Sequence, residues 1–389
     1  MNFFLNTNFI IEHSSSHKMS DFIKENIGKV SNPALIYDSI LSGQAHFDKA
    51  LKNLKIAFPR LDIKVNDRQG EPTYKYLNKL ANYFRGKDID IVVAIGGGST
   101  MDIGKGIAFL LTNKGNALEY KGFPKDANNP IPLVTCPSLF GSGADISYNA
   151  VFIDEDEGKK LGINSTKNFP KLTIIDSELT MEAPESAVIS SAMDTLVHCI
   201  DSFGSVKHTP MSRMHSIAGF RDTFKVLYEG THMDINSRNN LAKGAICGIT
   251  ALMNSGDGPT NGFAYYLGVK HNVPHGLAGA IFLKEVMNYN INQGYEDYCM
   301  LTSLSSDDMS NVGDDIDIAN ISSHLIHDFD FIYNNLKIPN LSKYGFTKND
   351  MNTFVQGSMD ALSGSFGGNP VEFSENAVRR VYKNLIIEK

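Results

Sequence analysis

Asp194 and His198 stand four residues apart in the run Asp194-Thr195-Leu196-Val197-His198, and 77 residues further on comes Pro274-His275-Gly276. A carboxylate and an imidazole at i and i+4 share one helical face. A third ligand, His275, arriving from a distant segment would complete a three-ligand metal site with an open position, the arrangement of a catalytic cation. Taken alone, an Asp/His pair at this spacing also reads as a surface salt link.

Upstream lies Asp90-Ile91-Val92-Val93-Ala94-Ile95-Gly96-Gly97-Gly98-Ser99-Thr100-Met101-Asp102-Ile103-Gly104-Lys105, a buried strand running into three glycines and then a helix. Glycines there let backbone N–H groups approach a pyrophosphate, and the helix start adds partial positive charge. The spacing matches neither GxGxxG nor a P-loop. A tight strand-to-helix turn without ligand is the alternative. Asp38, just past an earlier strand, is placed either to accept the ribose 2′-OH of NAD and repel a 2′-phosphate or to cap a helix over residues 39–54.

The chain resembles the iron-containing (group III) alcohol dehydrogenases, the wider group that includes glycerol dehydrogenase and, more remotely, dehydroquinate synthase. The resemblance runs from about Asn32 to about Pro370. The family's GGGSxxDxAK is matched by Gly96, Gly97, Gly98, Ser99, Asp102 and Lys105, with Gly104 in place of Ala. Its PTTxGTGSE is similar to residues 137–145, Pro-Ser-Leu-Phe-Gly-Ser-Gly-Ala-Asp. Its DPxL is similar to Asp176-Ser177-Glu178-Leu179, its GxDAxxHxxE to residues 192–201, and its PHG turn is intact. The resemblance implies an N-terminal α/β dinucleotide-binding domain (Rossmann-like, dehydroquinate synthase-like) over residues 1–182 and an all-α metal and substrate domain over 183–389. It further implies NAD(H) and a divalent metal, zinc or iron, as cofactors. Asp194, His198 and His275 would be ligands. Gly96, Gly97, Gly98, Ser99, Asp102, Ser138, Ser142, Asp145 and Asp38 would line the cofactor path. Lys105 would offset phosphate charge or sit on a solvated helix face, and Asp145 would contact nicotinamide or cap a loop.

Two positions depart from the family pattern N-x-G-x-G-x-x-H-x-x-x-H-x-L-G, which residues 254–268 follow at the same spacing. The first histidine, a ligand, is Asn261, and the second, near nicotinamide and substrate, is Tyr265. A neutral amide oxygen is a poor zinc or iron(II) ligand beside imidazole and carboxylate. Either three ligands suffice or the metal is lost. Tyr265, with an ordinary pKa near 10, His271, or water on the metal would then move the proton.

The expected reaction is hydride transfer between NAD(H) and an alcohol or aldehyde. Asn261, Tyr265 and Tyr266 favour a hydroxylated substrate, a polyol or a sugar acid such as the terminal hydroxyl of a 3-deoxy-octulosonate. A small-aldehyde reductase, phosphonoacetaldehyde included, a metal-free NAD-binding relic and a dehydroquinate synthase-like lyase are the alternatives. The lyase would call for several Lys or Arg near the metal, and residues 194–208 offer just Lys207.

With 389 residues, 42% hydrophobic and 20% charged, the chain can bury two ordinary cores. A net charge of -7 without basic runs argues against nucleic acid, and no apolar stretch reaches the roughly 18–20 residues of a membrane span. The first eleven residues lack signal-peptide features and read as a strand or hairpin. Cys136, Cys199, Cys247 and Cys299 are isolated, as in a reduced cytoplasmic protein, with Cys199 a packing residue. A homodimer is expected. Strands are predicted at 34–37, 61–65, 90–95, 131–135 and 172–175, alternating with helices at 41–54 and 73–84. Helices alone follow at 187–202, 212–228 and 238–253, and residues 303–317 read as loop or helix boundary.

Overall fold

The computed structural model describes residues 3–68, 70–230, 234–302, 318–361 and 363–386. The expected loop at 303–317 lies outside them. The chain separates into two units, one of residues 5–184 with 234–242, the other of residues up to 4, 185–233 and 243–389. The start of one later helix, residues 234–242, belongs with the first unit.

The first unit is built on six parallel strands in the order β1-β10-β5-β4-β2-β3. They are β1 (Asn8–Ile11), β2 (Pro33–Asp38), β3 (Asp62–Asn66), β4 (Ile91–Gly96), β5 (Leu133–Pro137) and β10 (Leu172–Ile175). Two small ribbons, β6 (Asn149–Ala150) with β9 (Ile163–Asn164) and β7 (Ile153–Asp154) with β8 (Lys159–Lys160), lie between the last two. The helices are α1 (Met19–Asn26), α2 (Ala45–Ala57), α3 (Tyr74–Phe84) and α4 (Gly98–Leu110).

Strand side chains divide by twos. Ala34, Ile36, Val92 and Ala94 pack with Leu77, Ile103 and Ile107 of α3 and α4. Leu35, Ile91, Val93 and Ile95 pack with Ile23, Phe47 and Leu54 of α1 and α2. A strand buried on both faces reads as a continuous apolar run, which is why β4 was visible in the sequence.

The expected helix over 41–54 is in fact two pieces, a 3-10 turn at Ser39–Leu41 and α2 from Ala45. Gly43, at φ +86°, breaks the run. Asp38 makes no side-chain cap bond to the first piece, so the capping reading is not borne out. Its carboxylate is used elsewhere.

α4 lies tight on the sheet. A Cβ on Gly104 would stand 2.7 Å from Ala94 Cβ and 3.3 Å from Leu133 Cδ1. We expect Gly104→Ala to destabilise the protein by about 1–3 kcal/mol through overpacking, although alanine is the better helix former by roughly 1 kcal/mol. Denaturant unfolding of the variant checks the sign.

The second unit is helical: α5 (Glu185–Gly204), α6 (Pro210–Glu229), α7 (Ile235–Met253, its first residues in the sheet unit), α8 (Pro259–His271) and α9 (His275–Asn292). Then come α10 (Cys299–Thr302), α11 (Ile318–Leu336), α12 (Met351–Ala361), α13 (Ser363–Phe366) and α14 (Glu375–Leu385). Local sequence sets their starts: Thr209 and Ser212 form a reciprocal capping box with Pro210 at the first helical position of α6. An aromatic core of Phe263, Phe282, Phe354 and Tyr382 joins α8, α9, α12 and α14. Cys199 is fully buried, and its Sγ lies where Cβ atoms on Gly219 and Gly248 would stand, at 2.8 and 3.1 Å, so it is a packing residue at a close helix crossing. No helix among the described residues is long and apolar enough to cross a membrane.

Candidate active site

In the sheet unit the chain runs outward from β2 to β3, crosses back to β4, and continues the other way through β5. The connections leaving the carboxyl ends of β2 and β4 therefore diverge, which is where open parallel sheets bind ligands. Asp38 ends β2 and Gly96 ends β4. Asp38 Oδ2 accepts the Gly97 N–H at 2.9 Å, and Asn66 Nδ2 reaches its Oδ1 at 3.5 Å. Burial pushes the Asp38 carboxyl above its usual range, and the bonds from Gly97 and Thr100 oppose this.

Both outer glycines of the triplet pack closely against side chains. A Cβ on Gly96 (φ +156°) would meet Asp38 Oδ2 at 2.8 Å and Thr100 at 3.0 Å, and one on Gly98 would meet Ser142 Oγ at 2.5 Å. Gly97 is the N-cap of α4 and offers no side chain, so the helix start presents backbone alone, with Ser99 in the first turn. Ser138 follows β5, and its N–H donates to the Gly96 carbonyl at 2.8 Å. Asp145 is held through its carbonyl by the hydroxyls of Thr135 and Thr173, both at 2.7 Å. Burial lifts its carboxyl to about 6, against the opposing field of Lys105.

Lys105 is on no solvated face. It is buried, its ammonium pairs with Asp102 at 3.1 Å, and it donates to the Asn149 carbonyl. It therefore ties α4 to β6, and the Asp102 carboxylate expected at the cofactor is already engaged by this cation.

In the helical unit Asp194 and His198 lie one turn apart on α5, both buried, with Asp194 Oδ1 3.6 Å from His198 Nε2. Asp194 Oδ1 and His198 Nδ1 are buried without a hydrogen-bond partner. Ligand bonds of about 2.0–2.2 Å in tetrahedral geometry put donor atoms roughly 3.4 Å apart, so this pair fits one edge of a zinc or iron shell. His275 opens α9. Gly276 brings it there: a Cβ on that residue would sit 2.0 Å from the Ser190 carbonyl oxygen and 2.9 Å from Asp194 Cβ. Only glycine lets the turn lie against α5.

Asn261 is in the first turn of α8, buried, with its amide Nδ2 unpaired. Tyr265 is one turn on, its ring edge-on to His275 at 5.3 Å. Asp194, His198 and His275 do not form a set with all ligand atoms within 4.8 Å of one another. Among the described residues, the group that does is His17, His46 and Glu178. His271 ends α8 before the left-handed Asn272, exposed, with Phe346 and Tyr266 as ring neighbours. Partial burial of the ring lowers its pKa, with Asp350 opposing.

Two acids stand beside the ligands: Asp201, matched to the last position of GxDAxxHxxE but assigned no role from the sequence, and Asp257, which no motif singled out. Asp201, one turn beyond His198, accepts the N–H groups of Gly258 (3.2 Å) and Asn261 (3.3 Å), and so caps α8 and fixes the residue at the fourth ligand position. Burial raises its carboxyl to about 7. Asp257 is likewise raised by burial, with His198 and Lys207 opposing. The signal for Asp201 was its spacing, seven residues after Asp194 on the same helical face. Because its folded pKa lies above the unfolded one, Asp201 favours the folded state fully below about pH 4 and loses that contribution as pH rises towards 7. Asp201→Asn, which keeps an acceptor for the cap, is expected to gain stability relative to the parent from pH 4 to 7. Thermal unfolding of the metal-free proteins across that range is the check.

The family described as "Iron-containing alcohol dehydrogenase" matches residues 6–177, and "Fe-containing alcohol dehydrogenase family, C-terminal" matches residues 188–386. The 1,3-propanediol dehydrogenase of Citrobacter freundii is 27% identical over 283 residues, 72% of each chain. The 4-hydroxybutyrate dehydrogenase of Cupriavidus necator is 27% identical over 278 residues, 68% of this chain and 71% of its own. The sulfoacetaldehyde reductase of Bifidobacterium kashiwanohense, solved with NAD+, superposes with a TM-score of 0.85 at 19% identity, covering 99% of this chain and 98% of that one. This chain belongs to the iron-containing alcohol dehydrogenases, a family of NAD-dependent alcohol dehydrogenases and aldehyde reductases that use a divalent metal.

Proposed function

We propose that this chain interconverts an alcohol and an aldehyde that carry a second oxygen group, a diol, polyol or hydroxy acid, in the cytoplasm and as a homodimer. The observation behind the substrate class is the amide of Asn261, buried with Nδ2 unpaired at the position where the family pattern has a ligand histidine. A buried donor without a partner costs about 1–3 kcal/mol, which a substrate oxygen recovers on binding. The two relatives named for 1,3-propanediol and 4-hydroxybutyrate act on substrates of this kind.

Asp194 and His198 would hold the divalent ion, with His275 as the third ligand, and NAD(H) would lie on the Gly96–Gly98 cradle. When bound, the ion polarises the substrate oxygen and the nicotinamide exchanges the hydride. The chain's own groups do the rest. The backbone at the start of α4, with Ser99 and the Ser142 hydroxyl beside it, receives the pyrophosphate; Ser138 and Asp145 border the nicotinamide. Asp38 accepts the ribose hydroxyls and repels a 2′-phosphate. Tyr265, edge-on to His275, orients the substrate and passes its proton through the phenol.

Asp38→Asn keeps an acceptor for the Gly97 N–H but removes the charge, so kcat/KM for NADP+ relative to NAD+ is expected to rise about tenfold or more. The substrate class is tested by comparing 1,3-propanediol with 1-propanol: the diol should be preferred by roughly tenfold or more, and Asn261→Leu should erase that ratio. Equal kcat/KM for both alcohols in the parent would overturn the assignment. The competing reading is a metal-free, NAD-binding relic. Asp194, His198 and His275, among the described residues, do not bring one ligand atom each within 4.8 Å of one another, which stands on its side.

A further inference from the structure

We propose a second divalent-metal site in the sheet unit, formed by His17, His46 and Glu178 and suited to zinc or a similar first-row ion. One ligand atom from each of these residues lies within 4.8 Å of the others. His46 Nδ1 stands 3.6 Å from a Glu178 oxygen, close to the roughly 3.4 Å edge expected for bonds of zinc length. The two imidazoles stack at 5.2 Å with planes 19° apart. His17 Nε2 and His46 Nδ1 are both buried atoms without a hydrogen-bond partner. Two buried, unpartnered imidazole nitrogens converging on a carboxylate oxygen whose one other partner is the Ser14 hydroxyl are a donor set of the kind zinc takes up.

The residues come from three distant segments, and other carboxylates hold each segment in place. His17 lies in the 3-10 turn Ser15–Lys18 after β1, and Glu178 in the 3-10 turn Ser177–Thr180 after β10. Asp176 joins these turns: Oδ2 accepts the Ser16 N–H (3.0 Å) and hydroxyl (2.6 Å), and Oδ1 accepts the Glu178 N–H (3.1 Å). His46 is in the first turn of α2, where Glu182 accepts the Ala45 N–H at 2.9 Å. The two imidazoles are thus pre-placed without spending the nitrogens that face the site, and the Glu178 oxygen that faces them also accepts the Ser14 hydroxyl.

Burial holds His17 below its usual pKa, with Lys49 and His46 adding to the effect and Asp176 and Glu178 opposing it. The Ser14 hydroxyl, donating to Glu178 at 2.6 Å, holds that carboxyl below its usual range. His46 and Glu178 each keep about a quarter of the side chain exposed, 28% and 27%, which leaves an entry path and room for a water. An ion here ties together the connections at the carboxyl ends of β1, β2 and β10.

The test uses full-length, tag-free protein stripped with chelator, with zinc ion as the probe and equilibrium dialysis followed by elemental analysis. The background is His198→Ala, which removes the helical-unit site. That variant should hold about one zinc ion per chain and melt at a higher temperature with zinc than without. Adding His46→Ala, or Glu178→Gln should the first fail to fold, should lower both affinity at least tenfold and the thermal shift to nothing. If His198→Ala protein binds no stoichiometric zinc, or binds it equally with His46 replaced, the proposal is overturned. In the parent chain, loss of one ion per chain on His46→Ala with turnover retained separates this site from the active centre. Failure of the active-centre reading would instead leave a single ion that His46→Ala removes.

Discussion

Gly276→Ala is expected to lower kcat/KM by about 100-fold or more and to destabilise the protein by on the order of 3 kcal/mol. The new Cβ would lie 2.0 Å from the Ser190 carbonyl oxygen and 2.9 Å from Asp194 Cβ. Neither obstacle is the far end of a flexible side chain, so the start of α9 must withdraw from α5 by more than an ångström, and His275 goes with it. Misplacement on that scale is worth about 10²-fold in rate, and overpacking typically costs 1–3 kcal/mol. Gly279→Ala, three residues on, is the control. Its Cβ meets the Val197 side chain at 2.9 Å, which can shift, so its effect should be clearly smaller. Denaturant midpoints and steady-state kinetics on the two variants decide the matter.

Replacing Asp194 by alanine should remove the active-centre ion and lower turnover by about 10³-fold, on the order of 4 kcal/mol of lost oxygen polarisation. His198 keeps its place on α5 but loses the acid 3.6 Å away. Asn261, a neutral amide, cannot substitute for the carboxylate. Elemental analysis should show one fewer ion per chain, and NAD+ affinity, which belongs to the sheet unit, should stay within about twofold. Retained metal with retained turnover would show that Asp194 is no ligand.

What could be read in the chain beforehand was what depends on near neighbours in sequence. The continuous apolar run into Gly96–Gly98 declared a buried parallel strand, because such strands are covered on both faces. Asp194 and His198 declared a shared face because helix periodicity fixes it. The break at Gly43 was missed because a glycine inside an otherwise helical pattern is tolerated in many helices. Lys105 was misjudged because its partners, Asn149 and Ser147, arrive from some forty residues away. The cap that Asp201 places on α8, and the convergence of His17, His46 and Glu178, likewise depend on tertiary placement that no local pattern encodes.

The most direct test is deuterium transfer. NADH deuterated at the transferring C4 position is incubated with metal-loaded protein and 3-hydroxypropanal, and the product is examined for label. Deuterium on the new carbinol carbon with the parent protein, and none above background with Asp194→Ala, is the expected result. NADH bound by a folded, metal-loaded protein that delivers no deuterium to this or any related aldehyde would contradict it.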